Sequence, residues 1–177
     1  MLHHFRRTPN QLLHTTGVYH FSVASRKHFE RRLLKYSCQQ VYDIVANVNS
    51  YYQFVPWCKE SKIISKDSNN PNKLKAELVV GFGMFNERYT SDILMVDKES
   101  IKATSVEASV LEYLISEWKF SPATDPKSCW VTFQINFKFK SEIYNNVSDL
   151  FLTEVVSNMV IAFENRCKKV YNNNNNK

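Results

Sequence analysis

Between Ile143 and Tyr171 the apolar residues recur every three or four positions for about eight helical turns. Ile143, Val147, Leu150, Phe151, Val155, Met159, Ala162, Phe163, Cys167 and Val170 share one side, and Asn146, Asp149, Glu154, Asn158, Glu164 and Lys168 fall largely between them. This spacing predicts one long C-terminal helix. A membrane span needs roughly 20 mostly apolar residues in a row, and Asp149, Glu154, Asn158 and Glu164 interrupt this run too often. The apolar face therefore needs a cover of protein.

The chain before it supplies that cover as strands. Cys129, Val131, Phe133, Ile135, Phe137 and Phe139 alternate with Trp130, Thr132, Gln134, Asn136, Lys138 and Lys140, which predicts a strand with one dry and one wet face. Further strands are expected over His28–Tyr36, Lys59–Lys66, Lys73–Met84, Glu87–Val96, Ile101–Val110 and Glu112–Phe120. Turn-forming clusters separate several of them, at Asp67–Asn72, Asp97–Ser100 and Ser121–Ser128. Ser37 followed by Gln40 is a capping-box pattern that opens a short helix. A second brief helical piece through Tyr51 and Tyr52 ends before Pro56, whose ring disfavours helix at Val55.

Strands joined by short turns predict an antiparallel meander of about seven strands, an α+β architecture in which the sheet curves around the long helix. A twisted sheet does not close neatly on one helix, so a cavity between them is expected. Its candidate lining is Val79, Phe82, Trp118, Phe120, Phe133, Phe137, Phe151, Val155, Met159 and Phe163. The same side chains also suffice to fill a solid core.

The chain carries a net charge of +6, which raises the question of a polyanionic partner. Residues 1–27 hold Arg6, Arg7, Arg26 and Lys27 and no acid, leaving 19 basic against 17 acidic residues, a net of +2, for the remainder. A nearly neutral body without a basic stripe argues against nucleic acid. The acid-free, Arg-, Ser- and Thr-containing leader, 1–27, has the profile of a mitochondrial transit peptide. Residues 28–171 are then one domain, and 172–177 an Asn-rich, disordered tail.

Little catalytic chemistry is available. The five histidines, His3, His4, His14, His20 and His28, lie in the leader or at its edge, so no imidazole is expected inside the body to serve as a general base or metal ligand. Cys38, Cys58, Cys129 and Cys167 are scattered without a C-x-x-C pair and are expected as buried thiols. Gly81-Phe82-Gly83 lacks the third glycine of a dinucleotide-binding loop. No catalytic residue, metal or cofactor is expected, and a binding protein fits better than an enzyme.

The element order resembles the helix-grip fold of START-type lipid-binding domains. Tyr51-Tyr52-Gln53-Phe54-Val55-Pro56-Trp57-Cys58, followed by Ser61, is similar to the signature of the mitochondrial coenzyme Q-binding START family within the polyketide cyclase/START superfamily. Leu78-Val79-Val80-Gly81-Phe82, Glu87-Arg88-Tyr89-Thr90-Ser91 and Trp118-Lys119-Phe120 extend the likeness, which runs from about Phe29 to Tyr171. The resemblance implies non-catalytic binding and delivery of ubiquinone in support of respiration and quinone synthesis. The expected place is the matrix side of the mitochondrial inner membrane, held peripherally, with respiratory-chain or quinone-synthesis proteins as partners. Alternatives on the same fold are a cyclase or dehydratase and a ribosome-associated regulator. A polyprenyl tail gains on the order of 10 kcal/mol on leaving water, but a bilayer offers the same gain, so delivery fits better than storage. Phe54, Val55, Pro56 and Trp57 are candidates for an apolar mouth, and Tyr89, Ser91, Glu87 and Lys59 for the head-group end.

Overall fold

A computed structural model describes residues 24–82 and 85–172. The leader up to residue 23, Gly83 and Met84 at the expected end of the third strand, and the tail from residue 173 lie outside the described residues. Seven strands form one antiparallel sheet: β1 (Arg26–Leu34), β2 (Cys58–Lys66), β3 (Lys73–Phe82), β4 (Phe85–Val96), β5 (Ser100–Ala108), β6 (Leu111–Pro122) and β7 (Cys129–Phe139). Their spatial order is β1-β7-β6-β5-β4-β3-β2. The chain thus runs as a meander from β2 to β7, and β1 closes on β7 at the opposite edge from β2.

Between β1 and β2 stand the two expected helical pieces. Helix α1 (Cys38–Ala46) starts with the full capping box, the Ser37 side chain accepting from the Gln40 amide and the Gln40 side chain accepting from the Ser37 amide. A 3-10 helix over Val48–Gln53 follows and stops short of Pro56. Trp57 takes a left-handed backbone, φ 66°, which turns the chain into β2, and its carbonyl accepts from the Gly81 amide at 2.9 Å.

The C-terminal helix spans Glu142–Asn172, 31 residues long. By length and hydropathy alone it could cross a bilayer, yet it lays Val155, Val156, Val160, Phe163 and Cys167 against protein, all buried. Trp118 meets Phe163 with ring centroids 4.7 Å apart, and Phe137 meets Phe151 edge to face at 5.1 Å.

Its backbone is less regular than its sequence period suggests. Asn145–Leu150 and Met159–Cys167 are α-helical, whereas Phe151–Val155 is π-helical, Val156–Asn158 is 3-10 and Lys168–Asn172 is again π-helical. The cause in the middle is competition from side chains. Thr153 Oγ1 donates to the Asp149 carbonyl at 3.0 Å, Ser157 Oγ to that of Leu152 at 3.0 Å, and Asn158 Nδ2 to that of Glu154 at 2.8 Å. These bonds draw carbonyls away from the i→i−4 ladder, and the Val156 amide is shared between Leu152 and Phe151.

β1 differs from expectation in two ways. It starts at Arg26, so Arg26 and Lys27 of the interval expected as leader are strand residues, and it ends at Leu34. Its inward face carries Arg26, His28, Glu30, Arg32 and Leu34, and Phe29 and Leu33 face outward. Arg26 pairs with Asp149 at 2.8 Å and Arg32 with Glu164 at 3.4 Å, fastening the helix to the edge strand on either side of its irregular middle. His28 belongs to this face, a correction to the expected imidazole-free body: its ring lies 6.4 Å from that of Phe133 and its Nε2 3.8 Å from Glu30.

Candidate functional site

A void survives beneath the helix because the middle of the sheet carries small side chains. Ser91 on β4, Ala103 on β5 and Ser116 on β6 line it, and Ala103 sits directly opposite Ser116 in the register. The result is a cavity of about 100 Å³. Its floor is completed by Leu78 and Val80 of β3, Tyr89 and Ile93 of β4, Ile101 of β5, Leu114 and Trp118 of β6, and Phe133 and Ile135 of β7. Its roof is Phe151, Val155, Met159 and Phe163 of the C-terminal helix, and one end is closed by Val48, Tyr51, Val55, Pro56 and Cys58.

The structure thus brings ten of the side chains singled out from sequence to one cavity: Val55, Pro56, Tyr89, Ser91, Trp118, Phe133, Phe151, Val155, Met159 and Phe163. The others lie elsewhere. Val79 points to the opposite face of β3, because alternation gives the cavity its neighbours Leu78 and Val80. Phe120 packs edge to face on Tyr42 of α1 at 5.8 Å, and Phe137 is fully buried between Phe139 and Phe151. Phe54 lies outside the cavity, its ring 5.0 Å from Phe163 and covered by the Arg166 guanidinium. Trp57 is half-buried in its turn and does not line the void. The Phe82 side chain lies outside the described residues.

The lining that sequence reasoning missed is the rest of the inward row on β3 to β6, Ala103 and Ser116 above all. Its signal was present as period-two alternation through Tyr89, Ser91 and Ile93, but small residues do not stand out as a lining until the facing helix is placed.

The wall is electrically neutral. It contains no carboxylate, imidazole, ammonium or guanidinium among the described residues that line it. Burial raises the pKa of the Tyr51 and Tyr89 phenols well above the usual tyrosine value, and pushes the Cys58 thiol up to about 11. All three therefore stay protonated at neutral pH. Tyr51 donates its hydroxyl proton to the Val45 carbonyl. Glu87, a candidate for the head-group end, is turned to another use: its Oε1 accepts from the amides of Ser109 at 2.7 Å and Val110 at 3.0 Å, tying down the β5–β6 turn. Lys59 is exposed and donates to Asn86. Ser91 is different, being 2% exposed with a hydroxyl that has no hydrogen-bond partner among the described residues. Among the described residues no group of His, Cys, Asp and Glu could hold a metal ion. His28 is not on the wall.

A groove of about 370 Å³ runs outside the cavity between Gln53, Phe54 and Pro56 on one side and Asn158, Ile161 and Arg166 on the other. Pro56 lines both spaces, so the partition between them is thin there. A neutral, apolar void with hydroxyls on its wall suits an uncharged hydrophobic molecule that carries a hydrogen-bonding group. It holds no paired nucleophile and base.

Comparison with known proteins agrees with this geometry. The chain is 36% identical over 147 residues to the mitochondrial coenzyme Q-binding protein COQ10 homolog B of Xenopus laevis, covering 82% of this chain and 59% of that one. It is 31% identical over 142 residues to the ribosome association toxin RatA of Rickettsia prowazekii, covering 78% of this chain and 94% of that one. A START superfamily protein from Mycobacterium smegmatis superposes with a TM-score of 0.70 over 81% of this chain and 98% of its own, at 13% identity, a likeness of fold alone. Residues 34–164, the stretch from the end of β1 to the helix over the cavity, match the family model described as polyketide cyclase / dehydrase and lipid transport, and it is to this START-like family that the chain belongs.

Proposed function

We propose that the chain binds a polyprenyl quinone of the ubiquinone type in its cavity and hands it on without chemical change. The observation that carries this reading is the cavity itself, apolar and uncharged, in a chain over a third identical to a protein named for binding coenzyme Q. Pockets for drug-sized ligands run to about 300–1,000 Å³, so a void of about 100 Å³ admits a quinone only when the helix lifts. The lift takes place where the helix is least regular. Phe151, Val155 and Met159 hang into the cavity from the π and 3-10 segments or their border, and irregular turns of this kind concentrate at functional positions. Entry runs past Pro56 and Met159, from the outer groove.

The mitochondrial inner membrane is the proposed place of action, with peripheral contact on the matrix side. The acid-free leader and the mitochondrial relative support the organelle. Exposed Ile143, Leu150 and Ile161 along the helix and Tyr52 beside the groove support contact with lipid. Respiratory-chain or quinone-synthesis proteins are the proposed recipients.

Lipid extraction from gently purified full-length protein, followed by mass spectrometry, tests the reading. A stoichiometric long-tail quinone is expected, and a preparation that neither carries nor takes up any quinone would overturn it. Ala103→Leu, which fills the void from the sheet side, is expected to cut quinone uptake at least about 10-fold while leaving the melting temperature unchanged or raised.

The RatA likeness favours a second reading, binding to ribosomes, since it spans nearly all of that shorter chain. Salt-resistant cosedimentation with ribosomes would select it. The nearly neutral body predicts none.

A further inference from the structure

Ser91 is the one cavity-lining residue whose buried hydroxyl lacks a partner among the described residues. A hydroxyl held out of water without a hydrogen bond is unfavourable, and such groups in native proteins are ordinarily satisfied by something. Ser91 sits in β4 between Ala76 of β3 and Ser105 of β5, at a register shift of the β4–β5 ladder, and its hydroxyl meets neither a main-chain nor a side-chain partner among the described residues. The residue lines the void.

The rest of the wall indicates which way round a ligand would lie. Ser116 on β6 and the Tyr89 phenol also line the void, so hydroxyl groups gather on the central strands. At the other end stand Val55, Pro56 and Met159 with Tyr51 and Cys58, whose polar atoms are already given to the Val45 and Glu60 carbonyls, and beyond Pro56 lies the groove with Phe54 and Ile161. The exit end is thus apolar or internally satisfied, and the unpartnered buried hydroxyl is on a central strand.

We propose, building on the quinone reading above, that Ser91 marks a head-group subsite: its hydroxyl donates to one carbonyl oxygen of the quinone, which enters ring first and leaves its isoprenoid tail running out past Pro56. The orientation is opposite to that of a carrier that buries the tail and shows the ring. A serine hydroxyl both donates and accepts, so the same side chain serves the quinol, whose ring hydroxyl then donates to it. Specificity comes from the cost of leaving Ser91 unpaired when a ligand lacks the oxygen.

The test compares a short-tail ubiquinone with a prenylated dimethoxytoluene of the same tail that lacks both carbonyl oxygens, on the full chain and on Ser91→Ala. Serine to alanine keeps the size of the residue, and matched melting curves establish that the variant folds. The wild type is expected to favour the quinone, and Ser91→Ala to lose about 3- to 10-fold in quinone affinity, the scale of one neutral hydrogen bond, with no change for the analogue that lacks the carbonyl oxygens. In infrared difference spectra the carbonyl stretch of bound quinone is expected lowered in the wild type and restored in the variant, a signature that a merely structural role would not move. Equal quinone affinity and an unmoved carbonyl band in Ser91→Ala would overturn the subsite while leaving quinone binding intact. Failure of the wild type to bind either compound would remove the quinone reading and the subsite together.

Discussion

Glu87 shows how a buried carboxylate can be part of the frame and not of the chemistry. It is 2% exposed, and its carboxylate accepts from two main-chain amides, those of Ser109 and Val110, in the turn that joins β5 to β6. Hydrogen bonds to a charged acceptor contribute about 1.5–3 kcal/mol each, and removing the acceptor strands two buried donors. Glu87→Ala is therefore expected to lower unfolding stability by about 2–4 kcal/mol in urea titration. Glu87→Gln keeps the Oε1 acceptor and is expected to lose distinctly less. Period-two alternation in the sequence does place Glu87, Tyr89 and Ser91 on one face of their strand. It cannot say that the first looks toward a turn more than twenty residues later and the third into a void, because that depends on which strand comes alongside. Val79 was misplaced for a related reason: in an apolar run such as Leu78-Val79-Val80, hydrophobicity carries no parity, and only pairing with Arg88 reveals the outward residue.

At the level of elements, the C-terminal helix combines fixed ends with a loosened middle. The ion pairs at Asp149 and Glu164 are partly exposed and contribute little to global stability, typically under about 1 kcal/mol each. They do fix where the helix meets β1. Between them, Thr153, Ser157 and Asn158 turn their polar groups back on the main chain. Replacing all three by alanine frees the carbonyls for a regular ladder and raises helix propensity. The triple variant is expected to melt a few degrees higher and to exchange quinone several-fold more slowly, followed by stopped-flow quenching of Trp118 in a background where Trp57 and Trp130 are phenylalanine. The existence and extent of this helix were legible from its apolar period, as was the α1 capping box from Ser37 and Gln40. The π and 3-10 turns were not, since a three-to-four-residue period is too coarse to separate an α-helix from one with a shifted ladder. The charged inner face of β1 was hidden as well, because Arg26, Glu30 and Arg32 resemble a solvent face until Asp149 and Glu164 come opposite.

For the molecule as a whole, strands alternating with short turns made an antiparallel meander under a helix the economical solution, and the sheet from β2 to β7 follows it. The return of β1 to β7 rests on pairing between residues about a hundred positions apart and has no local signal. The assembled core also sets a response to alkali. Burial first of all pushes Cys58 up to about 11, and Cys129 and Cys167 up to about 12, from the ordinary 9.0, and it raises Tyr51 and Tyr89 above theirs. In the unfolded chain these groups ionise at their ordinary values, whereas the folded chain holds the protons. Their contribution is complete below pH about 9 and is lost as the pH rises through 11 to 12. Melting temperature is expected to be flat from pH 7 to about 8.5 and to fall above pH 9.

Small residues on the central strands leave unfilled space that larger ones would have occupied. At roughly 24 cal/mol per Å³, a void of about 100 Å³ withholds about 2 kcal/mol that a solid interior would have supplied. Vacancy is thus the high-energy condition of this fold. Any hydrophobe small enough to slip under the helix relieves it, so protein taken from cells is expected to arrive already occupied, and protein stripped of its guest to be the less heat-resistant of the two.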